Sequence, residues 1–377
     1  MQSPAAAPRD HLPPGAVTGI IQDSAGAIIG RGLELIDRDL NVLDEVDEVE
    51  DGTVRRDSYA TLHATADLSV ARELNWGAGL VRPYVTLTAG GVKAKFRLGA
   101  YRVNTPNRNL SRKPGVFRVQ CVDYLKDLSA RVGESYGVAA GTPVLQQVID
   151  ILQQQGYTKV LVDQSAADVV VPSPGRSWMI TDDPTWLGIV NDLLGAIGYA
   201  GIWTDWDGVP RVESYRRPAD RPNEWYYDTS LATGMLQVAR EVVDDYDDAP
   251  NSWTFYRNNL EEGQQPVPGN GLYRFTNYTV GRSSVEARGD RVIPAPPVGL
   301  DVANQTALEA AAQASIDAAM SLIRKVNAAV DLNPLHWHFD RVWVDDPEIG
   351  PPFRAMCTSW EIPLMGRTMN QTWTVLE

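Results

Sequence analysis

Short runs of alternating apolar and polar residues, punctuated by Gly, Pro or Asn, constrain this chain more than any other feature. The first third of the sequence contains "GRGLELIDRDLNVLDEV", "YATLHATADLSVA", "RPYVTLTAGG", "AKFRLGAYRVNTP" and "GVFRVQCVDYL". Successive side chains of a strand point to opposite faces, so alternation buries one face and leaves the other in water. Runs this short, with turn residues between them, predict an antiparallel sheet or barrel and disfavour βαβ units. In "FRVQC" the alternation points Phe117, Val119 and Cys121 to one face, which makes Cys121 a buried strand residue.

The next section changes period. In "GTPVLQQVIDILQQQG", Thr142 reads as an N-cap with Pro143 in the first turn, and Leu145, Val148, Ile149 and Leu152 form an apolar stripe before Gly156 ends the helix. In "DDPTWLGIVNDLLGAIG", Asp183 reads as the cap, Pro184 as the first residue, and Trp186, Val190, Leu193 and Ile197 as the buried side. "YAGIWTDWDGVPRVESY" then predicts a hairpin with a tight primed turn at Asp207-Gly208. Residues 261–300 are rich in Gly and Pro and read as loop with a short strand around "LYRFTNYTV"; Ala-rich "NQTALEAAAQASIDAAMSLIRKV" is the longest helix signal, capped by Asn304 or Thr306. The end returns to strands in "HWHFDRVWV", "FRAMCTSWEIPL" and "MNQTWTVLE", and no short-period repeat is visible.

At 377 residues the chain is too long for one ordinary core, which predicts about two to four domains. No apolar run reaches the roughly 18 to 20 residues of a spanning helix. The beginning "MQSPAAAPRDHLPPG" has neither a basic head nor an apolar stretch, so neither a signal peptide nor a membrane anchor is expected. Net charge is −14, which argues against general nucleic-acid affinity, because phosphate binding needs a cationic surface. Charge is unevenly spread: residues 34–51 hold nine acidic side chains against Arg38, and residues 82–131 hold eleven Lys or Arg against Asp123 and Asp127. That pattern predicts electrostatic matching between segments of the chain or between its copies. The two cysteines, Cys121 and Cys357, read either as separate buried thiols or as a disulfide.

Two motifs carry possible chemistry. "LHWHFD" (335–340) contains His-x-His-x-Asp and resembles the metal motif of metallo-β-lactamase-like hydrolases, with His336, His338 and Asp340 on one strand face. The sixth position is Arg341 where that family has His, and His11 and His63 are the only other histidines, so the ligands of a metal site are missing. "GESYG" (133–137) matches the nucleophile-elbow pattern at Ser135, but four residues separate it from the helix that an elbow must enter directly. The acidic tracts "DEVDEVED" and "EVVDDYDD" lack the ligand spacing of a calcium loop.

Several segments, in order, resemble the tail hub family of long-tailed phages, the tail-tip, tail-associated or baseplate hub proteins. "FRVQCVDYLKDLS" with "VAAGTPVLQQVIDILQQQGY" is similar to a strand-to-helix passage of that family, and "WLGIVNDLLGAIGYAGIWTDWDGVPRV" to its helix-plus-hairpin element. "APNSWTFY" resembles a recurring strand entry, and "LHWHFDRVWVDDPEIGPPFRAMCTSWEIPLMGRTMNQTWTV" its closing strands. The resemblance implies a mainly β, multidomain fold with α+β parts. Its domains would be a flexible arm (1–25), a first barrel-like domain (26–122), an α+β domain (123–225), a second barrel-like domain (226–262 and 325–377) and an inserted loop and helix domain (263–324).

It further implies a minor tail protein of the virion, made in the host cytoplasm: a homotrimer that adapts the hexameric tail tube to the tail tip and gates DNA ejection. Its partners would be the tube, the distal tail protein and the tip, fibre or tape-measure proteins, with DNA passing through the lumen unbound. It implies no catalytic, cofactor-binding or metal-binding residue and no cofactor. Lys93, Lys95 and Arg97 facing the acidic 34–51 segment of a neighbouring copy would then form a ring contact. The competing readings are a serine hydrolase using Ser135 with His336 or His338, a distal tail ring, and a carbohydrate-binding adhesin.

Overall fold

The computed structural model describes residues 27–376 apart from 78, 90, 109–114, 230–234, 245–248, 261–262, 321–323 and 338. The expected N-terminal arm, His11 and His338 lie outside the described residues. Eight strands come first: β1 (Ile28–Ile36), β2 (Val42–Val46), β3 (Val49–Asp57), β4 (Ala64–Val70), β5 (Leu80–Ala89), β6 (Val92–Arg97), β7 (Tyr101–Arg108) and β8 (Phe117–Asp123). They follow the alternation read from sequence, with Phe117, Val119 and Cys121 buried and Arg118 and Gln120 exposed. An α/β section follows, with β9 (Tyr136–Val138), α1 (Val144–Gln154), β10 (Leu161–Val162), β11 (Arg176–Trp178), α2 (Trp186–Gly195), β12 (Trp203–Thr204) and β13 (Pro210–Val212). It packs around its own core of α1 and α2 residues, among them Val148, Ile151, Val190 and Leu193.

After β14 (Trp225–Asp228) and β15 (Leu236–Asp244), a small unit forms from β16 (Ser252–Arg257), β17 (Val267–Pro268), β18 (Gly271–Thr276), β19 (Val298–Leu300) and α3 (Gln305–Met320). The chain closes with β20 (Arg324–Asp331), β21 (Arg341–Asp345), β22 (Phe353–Pro363) and β23 (Thr368–Leu376). The strand 252–257, expected in the second barrel-like domain, pairs instead within the small sheet in the order β17-β18-β16-β19. Its Trp253 and Phe255 bury against Leu308, Ala312 and Ile316 of α3, so hydrophobic contact draws it away from β15.

The regions expected as two barrel-like domains lie in one 14-stranded sheet with the path β15-β20-β23-β22-β3-β4-β8-β7-β5-β1-β2, and it is not closed into a barrel. One core runs beneath both ends of it, from Leu33, Val54 and Phe96 to Tyr227, Trp360 and Trp373. The junction is antiparallel pairing of β22 with β3, from Ser359 opposite Asp57 to Pro363 opposite Thr53.

Two four-strand repeats are visible in that path. In chain order the first is β3, β4, β7, β8 and the second is β15, β20, β22, β23; in space they read β3-β4-β8-β7 and β15-β20-β23-β22. Both repeats break register in their first strand, by one extra residue between Val49 and Asp51 and by two between Leu236 and Arg240. Both carry a bulge in the strand that ends the repeat, between Val103 and Thr105 and between Cys357 and Ser359. Bulges fix register and local twist, so matched bulges mark matched backbones.

Several local expectations shift by one or two residues. Thr142 does not cap α1, because Val171 N–H donates to Thr142 O and Val144 N–H donates to Val169 O, which ties the first turn to a neighbouring segment. Ile151 takes the buried place expected for the half-buried Ile149. α2 is capped by Thr185, whose hydroxyl accepts from Gly188 N, while Asp183 is left-handed; pairing of 184–186 with Ala130 and Val132 delays the helix start. The hairpin at 203–212 has a type I turn from Asp205 with Gly208 left-handed behind it, because Asp205 accepts from the amides of Asp207 and Val209. Asn304 caps α3 by accepting from Ala307 N.

Candidate functional site

The uncovered face of the sheet is the broadest functional candidate. Alternation leaves Glu241, Asn327, Asn370, Thr372, Ser359, Glu361, Arg55, Asp57, Thr65 and Asp67 on it, spanning both repeats and their junction. All of these but Asp67 line a groove of about 800 Å³, to which Ala239, Arg240, Ala60, Leu62 and His63 also contribute. Polar contacts run from strand to strand: Asn327 Nδ2 donates to Glu241 Oε2 at 3.3 Å, and Thr372 Oγ1 donates to Asn327 Oδ1 at 3.0 Å. Across the junction, Arg55 donates to Glu361 at 2.7 Å and to Asp67 at 2.9 Å. Its bond to Glu361 is the main reason the guanidinium pKa is raised. This face therefore presents hydroxyls, amides and carboxylates, with Arg55 neutralised in place.

The basic segment expected to meet a neighbour is largely satisfied within its own chain. Glu34, fully buried on β1, is bonded to Arg82 at 2.6 Å, Lys95 at 2.5 Å and Arg97 at 3.1 Å. Burial works to raise its pKa, but these cations outweigh burial and hold it below the usual carboxylate value. Lys95 also reaches Glu45, and Arg97 reaches Asp207. Lys93, Lys95 and Arg97 share one face of β6; Lys95 and Arg97 reach Glu34 on β1, whereas Lys93, at the start of the strand, is exposed. The ring contact expected at Lys95 and Arg97 is thus a contact inside the protomer.

The His-x-His-x-Asp motif does not lie along a strand. His336 N–H donates to Asn333 O and Asp340 N–H to Trp337 O, the bonds of turns and not of a strand, and Phe339 is left-handed before β21 starts at Arg341. The turn brings His336 Nδ1 to 3.3 Å from Asp340 Oδ2 in the buried core. His336 Nε2 bonds the Tyr227 hydroxyl, which accepts from Gln371 Nε2 at 3.1 Å, and Trp373 Nε1 donates to Gln371 Oε1 at 2.6 Å. Burial pushes the Tyr227 pKa far up, while Asp340, despite its own burial, is held low by His336 and the Trp337 amide. Among the described residues, no group of three or more His, Cys, Asp or Glu side chains is placed to hold a metal ion. His336 and Asp340 are thus tied into a buried polar network under the second repeat.

Ser135 is exposed in a loop that leads into β9 instead of a helix, and its hydroxyl accepts from Ile180 N at 3.0 Å. The elbow geometry that would activate it is absent there. Cys121 and Cys357 are both buried and free, with burial raising both thiols far above their ordinary pKa. No described helix is long and apolar enough to cross a membrane.

No protein-family profile matches the sequence, and no curated protein does either. Solved structures do match in shape over nearly the whole chain. The tail protein from Neisseria meningitidis MC58 superposes with a TM-score of 0.60, covering 92% of this chain and 96% of that one at 12% identity. The chain has the fold of phage tail proteins. The 43 kDa tail protein of prophage MuSo2 from Shewanella oneidensis gives a TM-score of 0.58 at 13% identity, covering 92% of this chain and 98% of that one. Prophage tail protein gp18 from Listeria monocytogenes EGD-e gives 0.54 at 12% identity, covering 91% and 94%. At such identities the tail-protein likeness resides in the course of the backbone.

Proposed function

We propose that the protein is a structural hub at the distal end of a phage tail, assembled from three copies and carrying no chemistry of its own. The observation that carries this reading is the repeat: each chain supplies two equivalent four-strand units in one sheet, so three chains supply six and match a sixfold tube. The tail-protein fold supports placing that ring in a tail. The groove face, with its amides, hydroxyls and the ion-paired Arg55, would line the channel; it offers DNA few free cations, as a conduit that passes DNA without retaining it requires.

Light scattering and negative-stain imaging of the purified full chain test the proposal. A ring of three copies is expected. A ring of six would overturn it in favour of the distal tail ring, and a monomer that persists at the highest attainable concentration and low salt would overturn the trimer.

A further inference from the structure

A second cleft lies between two parts of the molecule that each have their own core, the α/β section and the small unit. Its volume of about 500 Å³ is within the usual size of ligand sites, and it shares no residue with the groove of the sheet. One wall is β11 with the turn before it and Asp192 of α2; the other is Asn258 and Asn259, just past β16, with Asp301 just past β19. Clefts between separately packed parts are a common place for ligands, because both sides can present groups to one molecule.

The walls are held in place without a ligand. Gly175 N donates to Pro172 O at 2.8 Å, and the left-handed Gly175 lies so close to β9 that an added Cβ would stand 2.7 Å from Val138 O, which fixes the turn at 172–175. Trp178 Nε1 donates to Asp192 Oδ2 at 2.8 Å and Arg176 Nη1 to Asp192 O at 2.8 Å, so β11 is tied to α2. Opposite them Asn258 lies against Gly299, where an added Cβ would come within 2.3 Å of its Oδ1. Groups positioned in advance lose little freedom on binding.

The groups these walls leave unused define the ligand. Among the described residues nothing bonds the side chains of Asn258, Asp301 or Ser177, while Asp192 keeps its Oδ1 and Arg176 its Nε and Nη2. The set is mixed: carboxylates that only accept, a guanidinium that only donates, an amide and a hydroxyl that do both. Two carboxylates against one guanidinium oppose a phosphate, a nucleic-acid strand or an acidic peptide. They are also too few for a divalent ion, since no three His, Cys, Asp or Glu side chains are grouped among the described residues. Neutral hydroxyls donate and accept at once and satisfy every member of the set, and the half-buried Trp178 adds apolar ring surface for the C–H face of a sugar. We infer that the cleft binds a neutral oligosaccharide, a short run of hexose units. This goes beyond the hub proposed above and does not depend on its copy number.

The test is an array of neutral oligosaccharides of glucose, galactose, mannose and N-acetylglucosamine, probed with the full chain, with heparin and single-stranded DNA as anionic controls. Binding to at least one neutral oligosaccharide is expected, with both anions silent, and that oligosaccharide is then titrated by calorimetry. The double variant Asn258→Ala with Asp301→Ala removes two exposed side chains that hold no bond within the fold, so its thermal unfolding should be unchanged. Its affinity should fall at least about tenfold, the effect of losing two hydrogen bonds. A neutral array without a binder overturns the inference. Binding confined to heparin or DNA overturns it too, as does an affinity that the double variant leaves intact, which would put the sugar elsewhere. Oligomer mass, measured separately, bears on the hub alone.

Discussion

The two four-strand repeats have one backbone and two chemistries. Aligned through their ladders, they place Val54 on Val242 and Val70 on Val330, but also Asp67 on Asn327, Gln120 on Thr372 and Cys121 on Trp373. The first repeat is flanked by β1, β5 and β6, which bury Glu34 among three cations; the second rests on β14 and the Tyr227–His336–Gln371–Trp373 network. Strand order, alternation and bulge position are what both keep. A sheet is specified by its period and register, and either an ionic or an aromatic support can be built against it.

The comparison can be broken first on its ionic side. Glu34→Gln should cost about 3 to 5 kcal/mol in urea unfolding, because it leaves Arg82, Lys95 and Arg97 clustered without their shared carboxylate. A loss below about 1 kcal/mol would mean that water or backbone groups satisfy those cations equally well.

Acid should also strike the first repeat. His63, in the connection between β3 and β4, has its pKa pushed down to about 4 by burial and by the positive charge of Arg56. A histidine with a depressed folded pKa contributes stability that is fully present above its unfolded value near 6.5 and is lost as pH falls toward 4. The loss should reach about 3 kcal/mol below pH 4, and stability curves of a His63→Gln variant should be flatter over that window.

On the aromatic side the expected effect is smaller. Tyr227→Phe removes the hydroxyl that joins His336 to Gln371 and should cost about 1 to 3 kcal/mol in thermal unfolding, the range for stranding buried polar partners. The smallest effect belongs to the shared junction: Arg55→Ala removes two solvent-exposed ion pairs and should change stability by less than about 1 kcal/mol, with oligomer mass by light scattering unchanged. A large loss there would show that the junction depends on charge as well as on its ladder.

Local periodicity made most elements legible. The alternation in 117–121, the stripes of α1 and α2 and the Asn304 cap are visible because strand and helix periods act over a few residues. Three features are not local. The bond from Arg55 to Glu361 joins strands 306 positions apart, and no pattern within either strand names the other. The repeat is invisible as sequence because its two copies share burial and bulges more than residue types. His336 and Asp340 read as a strand face because the alternating letters continue through a turn that Phe339 closes with a left-handed backbone. Ser135 misled for the opposite reason: a five-residue pattern matched where the strand-to-helix context did not.

The hairpin that opens the second repeat has a consequence for how such a protein changes. In the first repeat β3 passes to β4 through residues 58–63; in the second, the equivalent passage from β15 to β20 carries β16–β19 and α3. Asp244 and Arg324 face each other at the root of that excursion, so its two ends leave the sheet side by side, and a body with its own core can be spliced there without stretching the ladder. The passage works as a socket. A module at this rim can be lengthened or replaced while the sheet keeps its register.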